Sequence, residues 1–494
     1  MAAIIQLACK GIQDRYLTEK PQVTCFRAVY KRHTQFAIQT IKNTFTTVPN
    51  FGSKYSCKVA RCGDLLSKMY IIIVLPKLTV PKRSKYELAW VNKIAFKLVK
   101  SVELEINSIL VEKHYGEWFN IWYSLTVPDN EKYDHLIGLS KTLNTPSKYI
   151  PETELAIPLS FWFNKSMSLA LPLVSLPDQE IKINVELSDA TSCIRVTPTN
   201  YIKIKDPLVP YKQGDIIVQT KHGKETGIAI YSHEDILKSR IYYEKIYGEF
   251  CKGPIFNLKH YYVTTAISDE GVFNFELSCD LKLVDVHLLC DYVLLCPEEK
   301  DKMMVKNLNR DYLIEQVLYC DEKVLTGPEV INTLKFSNLC KELIWITQLD
   351  SAIFAKQYFN YTTDIINYYK KREYGNVGFK TKNNSSIIKK ETILVDNIER
   401  VTFRKAGYFD QLQPYTYHSS SSPGINTYSF SLYPEELQPS GSINLESVST
   451  LGLKLTVNKY KKYNDIRLRS YARIYNIFQI RDNLGALLFN NNNI

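Results

Sequence analysis

The chain has 494 residues, more than one hydrophobic core normally serves, and 45% of them are hydrophobic, enough to fill two. Lysine plus arginine exceed aspartate plus glutamate by 62 − 51 = 11, but the basic residues are scattered, with only short runs at 370–372 and 459–462. That pattern argues against sequence-specific nucleic-acid binding, which needs a stripe or patch. The eleven cysteines, an odd count without a CxxC pair or a zinc-like quartet, argue for reduced, mostly packed thiols in a cytosolic setting.

The first residues, MAAIIQLACKGIQD, have too short an apolar run and no basic start for a signal peptide. Residues 1–20 precede any alternation yet carry Ile4, Ile5, Leu7, Ile12, Tyr16 and Leu17, so they read as an arm outside the cores. His33, in a basic stretch, reads as an exposed strand-end residue. Met69 to Leu75 is a continuous apolar, β-branched run stopped by Pro76, which predicts a strand covered on both faces and is far too short to span a bilayer. Val102, Leu104 and Ile106 alternate with polar residues and predict a half-buried strand. His114 to Tyr123 carries aromatics at helical spacing, and Trp118 and Trp122 form an i, i+4 pair suited to packing a helix on a sheet. Ile181, Ile183, Val185 and Leu187 alternate again.

From Asp189 to Gly227 the pattern loosens around several Pro and Gly residues, and a domain junction is expected at its end. Residues 231–250 read as a connecting helix. Phe273, Phe275, Leu277 and Cys279 alternate, Leu281 to Leu295 continues as strand, and 298–316 reads as helical. Residues 370–392 are a polar, basic loop, and its part at 376–390 is expected to form an exposed tip. Near the end, Tyr428, Phe430 and Leu432 alternate with Ser429 and Ser431. Pro434 stops that strand and suits the start of a helical turn, with Glu435 and Glu436 at its positive end. Pro439, Ser440 and Gly441 break the turn, and Leu451, Leu453, Leu455 and Val457 alternate beyond it. Two sets of short strands with proline corners predict an all-β fold of sandwiches. The expected division is an arm at 1–20, a first domain at 21–227 and a second at 228–494.

Chemical motifs are missing. There is no GxxxxGK[ST] run and no GxSxG elbow, His233-Glu234 lacks a second histidine in HExxH register, and no HxH pair occurs. No catalytic set, cofactor or metal is expected. Asn-x-Ser/Thr sequons stand at Asn164, Asn360, Asn383 and Asn384. Of these, Asn383, Asn384 and Asn360 are the glycosylation candidates, the first two best exposed.

The text YSFSLYPEELQPSGSIN at 428–444 resembles a signature of the major capsid proteins of nucleocytoplasmic large DNA viruses. QDRYLTEKPQVT, FRAVYKRHTQFA, VELEINSILVEKHYGEWFNIW, IPLSFWFNK, LALPL, EIKINVEL, DYLIEQV and KELIWITQ extend that resemblance, in order, over residues 4–489. It makes Tyr428, Phe430, Pro434, Glu435, Gln438, Pro439 and Gly441 the structural signature. It implies two consecutive eight-stranded jelly rolls with short connecting helices, and a homotrimer serving as a capsomer of an icosahedral shell. Neighbouring capsomers, minor capsid proteins beneath the shell and a nearby internal membrane are the implied surroundings, with assembly in the host cytoplasm. The chain departs from the family at Glu19-Lys20, at Leu445 to Val448, and at Asn397-Ile398, where an Asn-Gly hairpin turn is expected. A divergent minor capsid paralogue and a jelly-roll glycan-binding protein are the alternatives.

Overall fold

The computed structural model describes residues 33–489 apart from 82–83, 128–130, 206–208, 222–223, 258–261, 274–280, 305–308, 365–385, 403, 406 and 459–464. The arm at 1–20, the alternating residues 275–279, the basic run 459–462, Asn383, Asn384 and most of the 376–390 tip lie outside the described residues.

Among the described residues, two sandwiches are built on sixteen strands, with short further strands pairing at their margins. The first holds β1 (Phe36–Thr44), β2 (Lys54–Lys58), β3 (Leu65–Leu75), β4 (Val99–Ile106), β5 (Ile109–Tyr115), β6 (Thr153–Pro158), β7 (Ile181–Leu187) and β8 (Asp285–Leu295). The second holds β9 (Arg310–Leu325), β10 (Glu329–Leu334), β11 (Leu339–Leu349), β12 (Ile388–Val395), β13 (Ile398–Glu399), β14 (Ile425–Ser429), β15 (Leu451–Val457) and β16 (Ile466–Arg481). In the first, one sheet runs β1-β8-β3-β6 and the other β2-β7-β4-β5. In the second, the orders are β9-β16-β11-β14 and β10-β15-β12-β13. Adding eight to each strand number of the first sandwich gives the second, so the chain is a jelly roll made twice. All the principal pairs are antiparallel.

Hydrophobic alternation explains the inner faces. Ile181, Ile183, Val185 and Leu187 are buried in the first core, and Leu451, Leu453, Leu455 and Val457 in the second. β3 is apolar on both faces, as expected, because one side fills the core and the other is also covered.

Several expectations need correction. Residues 231–250 are not a helix: Lys224–Asp235 and Arg240–Gly248 are paired strands. They belong to a seven-stranded sheet spanning 200–272, inserted between β7 and β8. Its core holds Ile202, Ile217, Tyr243 and Ile255. Tyr242 and Glu244, on the opposite parity, are buried too, and Glu244 pairs with Arg195. Burial on both faces erased the period-2 pattern. Strand pairing also crosses the junction expected at 227, since β8 pairs with both β1 and β3 and completes the first roll. Among the described residues of 298–316, helix is confined to the stretch Pro297–Met304, and β9 begins at Arg310. Residues Ile314 to Leu318 of β9 are all buried, so their pattern hid the strand.

The rolls pack side by side through α1 (Gly116–Thr126), whose Trp118, Ile121 and Leu125 bury against Ile344, Ile346 and Tyr471 of the second roll. Trp118 and Trp122 stack at 5.8 Å, the packing pair that their spacing predicts. Burying such side chains contributes about 1.5–3 kcal/mol each. Gly116 lets the helix start there, because a Cβ would sit 2.0 Å from the Phe96 carbonyl oxygen.

Candidate functional site

The signature folds into a corner between β14 and β15, which lie in different sheets of the second roll. β14 ends at Ser429, earlier than the alternation suggests. The Ser429 hydroxyl donates to the Ser431 carbonyl at 2.7 Å and accepts from the Ser431 amide at 3.1 Å, a local turn that competes with the ladder. Parity therefore inverts: Ser431 is buried, while Leu432 and Tyr433 are exposed. Tyr428 and Phe430 meet edge to face at 5.1 Å and rest on the second core. Gly441 closes the corner with φ +138°, where a Cβ would stand 2.8 Å from the Phe430 carbonyl oxygen. Gln438 and Pro439 are exposed on its rim.

Beneath the corner lies a buried cluster of charges that sequence reasoning missed. Arg473 of β16 donates to Glu342 of β11 at 3.0 Å and to Glu315 of β9 at 2.6 Å. Its third acceptor is the carbonyl of Pro434, at 2.9 Å. Lys341 pairs with Glu315 and donates to the Glu436 carbonyl. His418 stands 3.3 Å from Glu342 and 3.2 Å from Glu435. Glu435 also accepts from the Ser419 amide at 2.9 Å. So the Pro-Glu-Glu turn is no helix start: the carbonyls of Pro434 and Glu436 cap cations, and the Glu435 carboxylate holds a histidine. The first roll completes the cluster, with Lys165 2.9 Å from Glu315 and Trp122 under the Arg473 guanidinium at 4.2 Å.

Electrostatics follow from burial and pairing. Burial opposes charge on Glu342, yet Arg473 and His418 hold its pKa down at about 2. Burial likewise opposes a charged His418, but Glu342 and Glu435 push it up to about 9. Glu315 is held far below the ordinary carboxylate range by Lys165, Arg473 and Lys341, against its burial. Lys341 is lowered, by burial first and by Arg473 second. With each charge set against an opposite one, such a cluster fixes geometry; losing one member leaves a buried charge uncompensated. A second seam joins the rolls nearby, where Glu117 of α1 meets Arg469 at 2.7 Å and accepts from the Tyr471 hydroxyl at 2.8 Å.

Other candidates resolve differently. His33 is exposed and adjoins the start of β1, as expected. Asn360 is 3% exposed and its amide donates to Gln357 at 2.8 Å, so a glycan has no access to it. Ser160, His114 and Glu112 lie in series at 3.5 and 2.9 Å, but the imidazole is sealed between Phe161 and Phe119. Among the described residues no cluster of three metal-ligating side chains occurs, and no helix is long and apolar enough to cross a membrane.

Comparison with known proteins finds viral capsid proteins. The family description "Major capsid protein N-terminus" matches residues 24–215, and "Large eukaryotic DNA virus major capsid protein" matches 299–486. The chain is 33% identical to "Probable capsid protein 4" of Acanthamoeba polyphaga mimivirus, over 98% of each sequence. It is 25% identical to the "Major capsid protein" of Phaeocystis pouchetii virus, over 99% of each. Among solved structures, PBCV-1 VP54 shares the fold at a TM-score of 0.65 and 21% identity, covering 95% of this chain and all of that one. The Faustovirus major capsid protein does so at 0.66 and 13%, covering 95% and 94%.

Proposed function

The chain belongs to the major capsid proteins of large eukaryotic DNA viruses, and from that premise we propose that it is a structural subunit of the outer shell. In this reading three copies form a capsomer with six jelly rolls around its axis, and capsomers tile an icosahedral lattice. The observation that carries it is the end-to-end similarity to a capsid protein together with one jelly-roll strand order repeated twice. Sandwiches of this kind keep their sheet edges short and leave loops free to vary. The locked seam between the rolls supports the same reading, because a capsomer needs both rolls at one fixed angle.

We divide the chain into a first roll closed by β8, with the 200–272 sheet as its insertion, and a second roll from β9 onward. Lys356, early in the β11–β12 connection, donates to the Thr191 carbonyl at 2.7 Å on the stretch that leads from β7 into the insertion, and we take the insertion and this connection to share one end of the molecule. The expected tip does not extend to 390, because Ile387 and Ile388 are buried and β12 starts at Ile388; that end, with the polar residues 376–385, faces outward in this proposal, and Asn383 and Asn384 are the accessible sequons there. The arm at 1–20 faces inward, toward neighbouring capsomers and minor capsid proteins near an internal membrane. The virion shell is the location, with assembly in the host cytoplasm.

Deleting residues 1–20 tests the reading. Trimers persist and ordered arrays seen by electron microscopy are lost; loss of the trimer itself, or unchanged arrays, contradicts it. The name of the 33%-identical relative, a numbered capsid protein, favours a second reading as a paralogue used at fewer shell positions. Its copy number per virion separates the two.

A further inference from the structure

Strand parity puts an acid in the middle of the second roll. Glu391 of β12 stands opposite Leu455 of β15, as Ile393 stands opposite Leu453, so its side chain shares their inward face. It is fully buried. The Trp345 indole N–H, from β11 in the facing sheet, donates to Glu391 Oε2 at 2.8 Å, so this bond crosses the sandwich. The other oxygen, Oε1, has no hydrogen-bond partner. Asp410 approaches from the π-helical turn Tyr408–Leu412, whose Phe409 packs on Trp345 at 5.1 Å. It too is buried, with Oδ1 unpartnered and Oδ2 accepting only a long bond, 3.4 Å, from the Gly424 amide.

The surroundings give neither acid a counter-charge. Arg404 is exposed and lies over the Tyr408 ring at 5.7 Å, the Tyr408 hydroxyl accepts from Gln413, and Tyr428 of β14 packs against Phe409. Lys390 and Lys454 flank the inward positions of β12 and β15 on the opposite parity, and Lys454 faces Glu399 at 3.9 Å. Among the described residues no lysine, arginine or histidine pairs with Glu391 or Asp410. An ionised carboxylate left so in a core is strongly disfavoured, whereas a protonated one supplies a donor to an orphan acceptor.

We propose that Glu391 and Asp410 form a proton-holding pair at the centre of the second roll, joining its two sheets while neutral and loosening them when ionised. Burial, and then the neighbouring Asp410, lift the Glu391 carboxyl to about 8 despite the Trp345 donation. Burial lifts Asp410 to about 6. Both folded values lie above the unfolded ones, so the stabilisation is complete below about pH 4 and is lost as pH rises through 6 to 8. The device is distinct from the cluster beneath the corner, whose carboxylates are held charged.

Hydrogen exchange in the full chain, corrected for intrinsic rates, tests the proposal at pH 6 and pH 9 in wild type, Glu391→Gln and Asp410→Asn. Protection of β12 and β15 falls about tenfold or more further in wild type than in Glu391→Gln, the fall that both share coming from His418 in the corner cluster. An equal fall in wild type and both variants, or no fall in wild type, overturns it. Should the variants fail to fold, infrared titration of the wild type decides. A protonated-carboxyl band at pH 6 that disappears by pH 9 supports the pair, and its absence at pH 6 overturns it.

Discussion

At the scale of single residues, the corner depends on one guanidinium. Arg473 is 2% exposed and binds Glu342, Glu315 and the Pro434 carbonyl together. Arg473→Met keeps much of the volume but strands two buried carboxylates, so it should cost about 3–5 kcal/mol in denaturant unfolding. A loss below about 1 kcal/mol shows that the cluster is dispensable. His418 gives the cluster a pH signature. Its pKa is raised to about 9, so its stabilising share is complete below the unfolded value and disappears as pH climbs through 9. Glu342, lowered to about 2, behaves oppositely and loses its share as pH falls through 2. Unfolding midpoints between pH 7 and 10 should therefore fall more steeply in wild type than in His418→Asn; parallel curves contradict the assignment. None of this was legible in the sequence. Arg473 and Glu342 are 131 positions apart, and Glu435 sits where a helix-dipole role explains it equally well. Only the fold brings His418 to it.

At the scale of elements, legibility followed one-sided burial. β7 and β15 alternate cleanly and were readable, whereas β9 and the strand Arg240–Gly248 are covered on both sides and were not. The hairpin near residue 397 shows a different limit. The expected turn used Asn397-Ile398, which demands a positive φ from a β-branched residue. The chain instead turns one residue earlier: Asp396 and Asn397 have φ of 50° and 64°, and Ile398 opens β13 opposite Val395. Both turn positions are thus left-handed, as a type I′ hairpin requires. Asn107-Ser108 and Asp482-Asn483 make the same turn elsewhere. Asn397→Gly should be neutral or stabilising, by up to about 1 kcal/mol, and Asn397→Val should cost about 1–2 kcal/mol. Thermal unfolding of the two variants checks this, and Gly less stable than Val would refute the turn assignment.

At the scale of the whole molecule, the two rolls act as one body because α1, the Glu117–Arg469 seam and the Arg473 cluster all bridge them. The sequence announced two all-β sandwiches through its proline corners and alternating runs. It concealed the inserted sheet, whose tyrosine-rich strands are buried on both faces, and the return of β8 to the first roll across a long excursion. The capsid reading asks one thing of this rigid unit, that it associate in threes through contacts strong enough to outlast charge screening. Light scattering on the purified chain at micromolar concentration, in physiological buffer and again in high salt, measures that directly. The account predicts a particle of three 57.2-kDa chains at both salt concentrations. A 57.2-kDa monomer as the sole species in physiological buffer would contradict it.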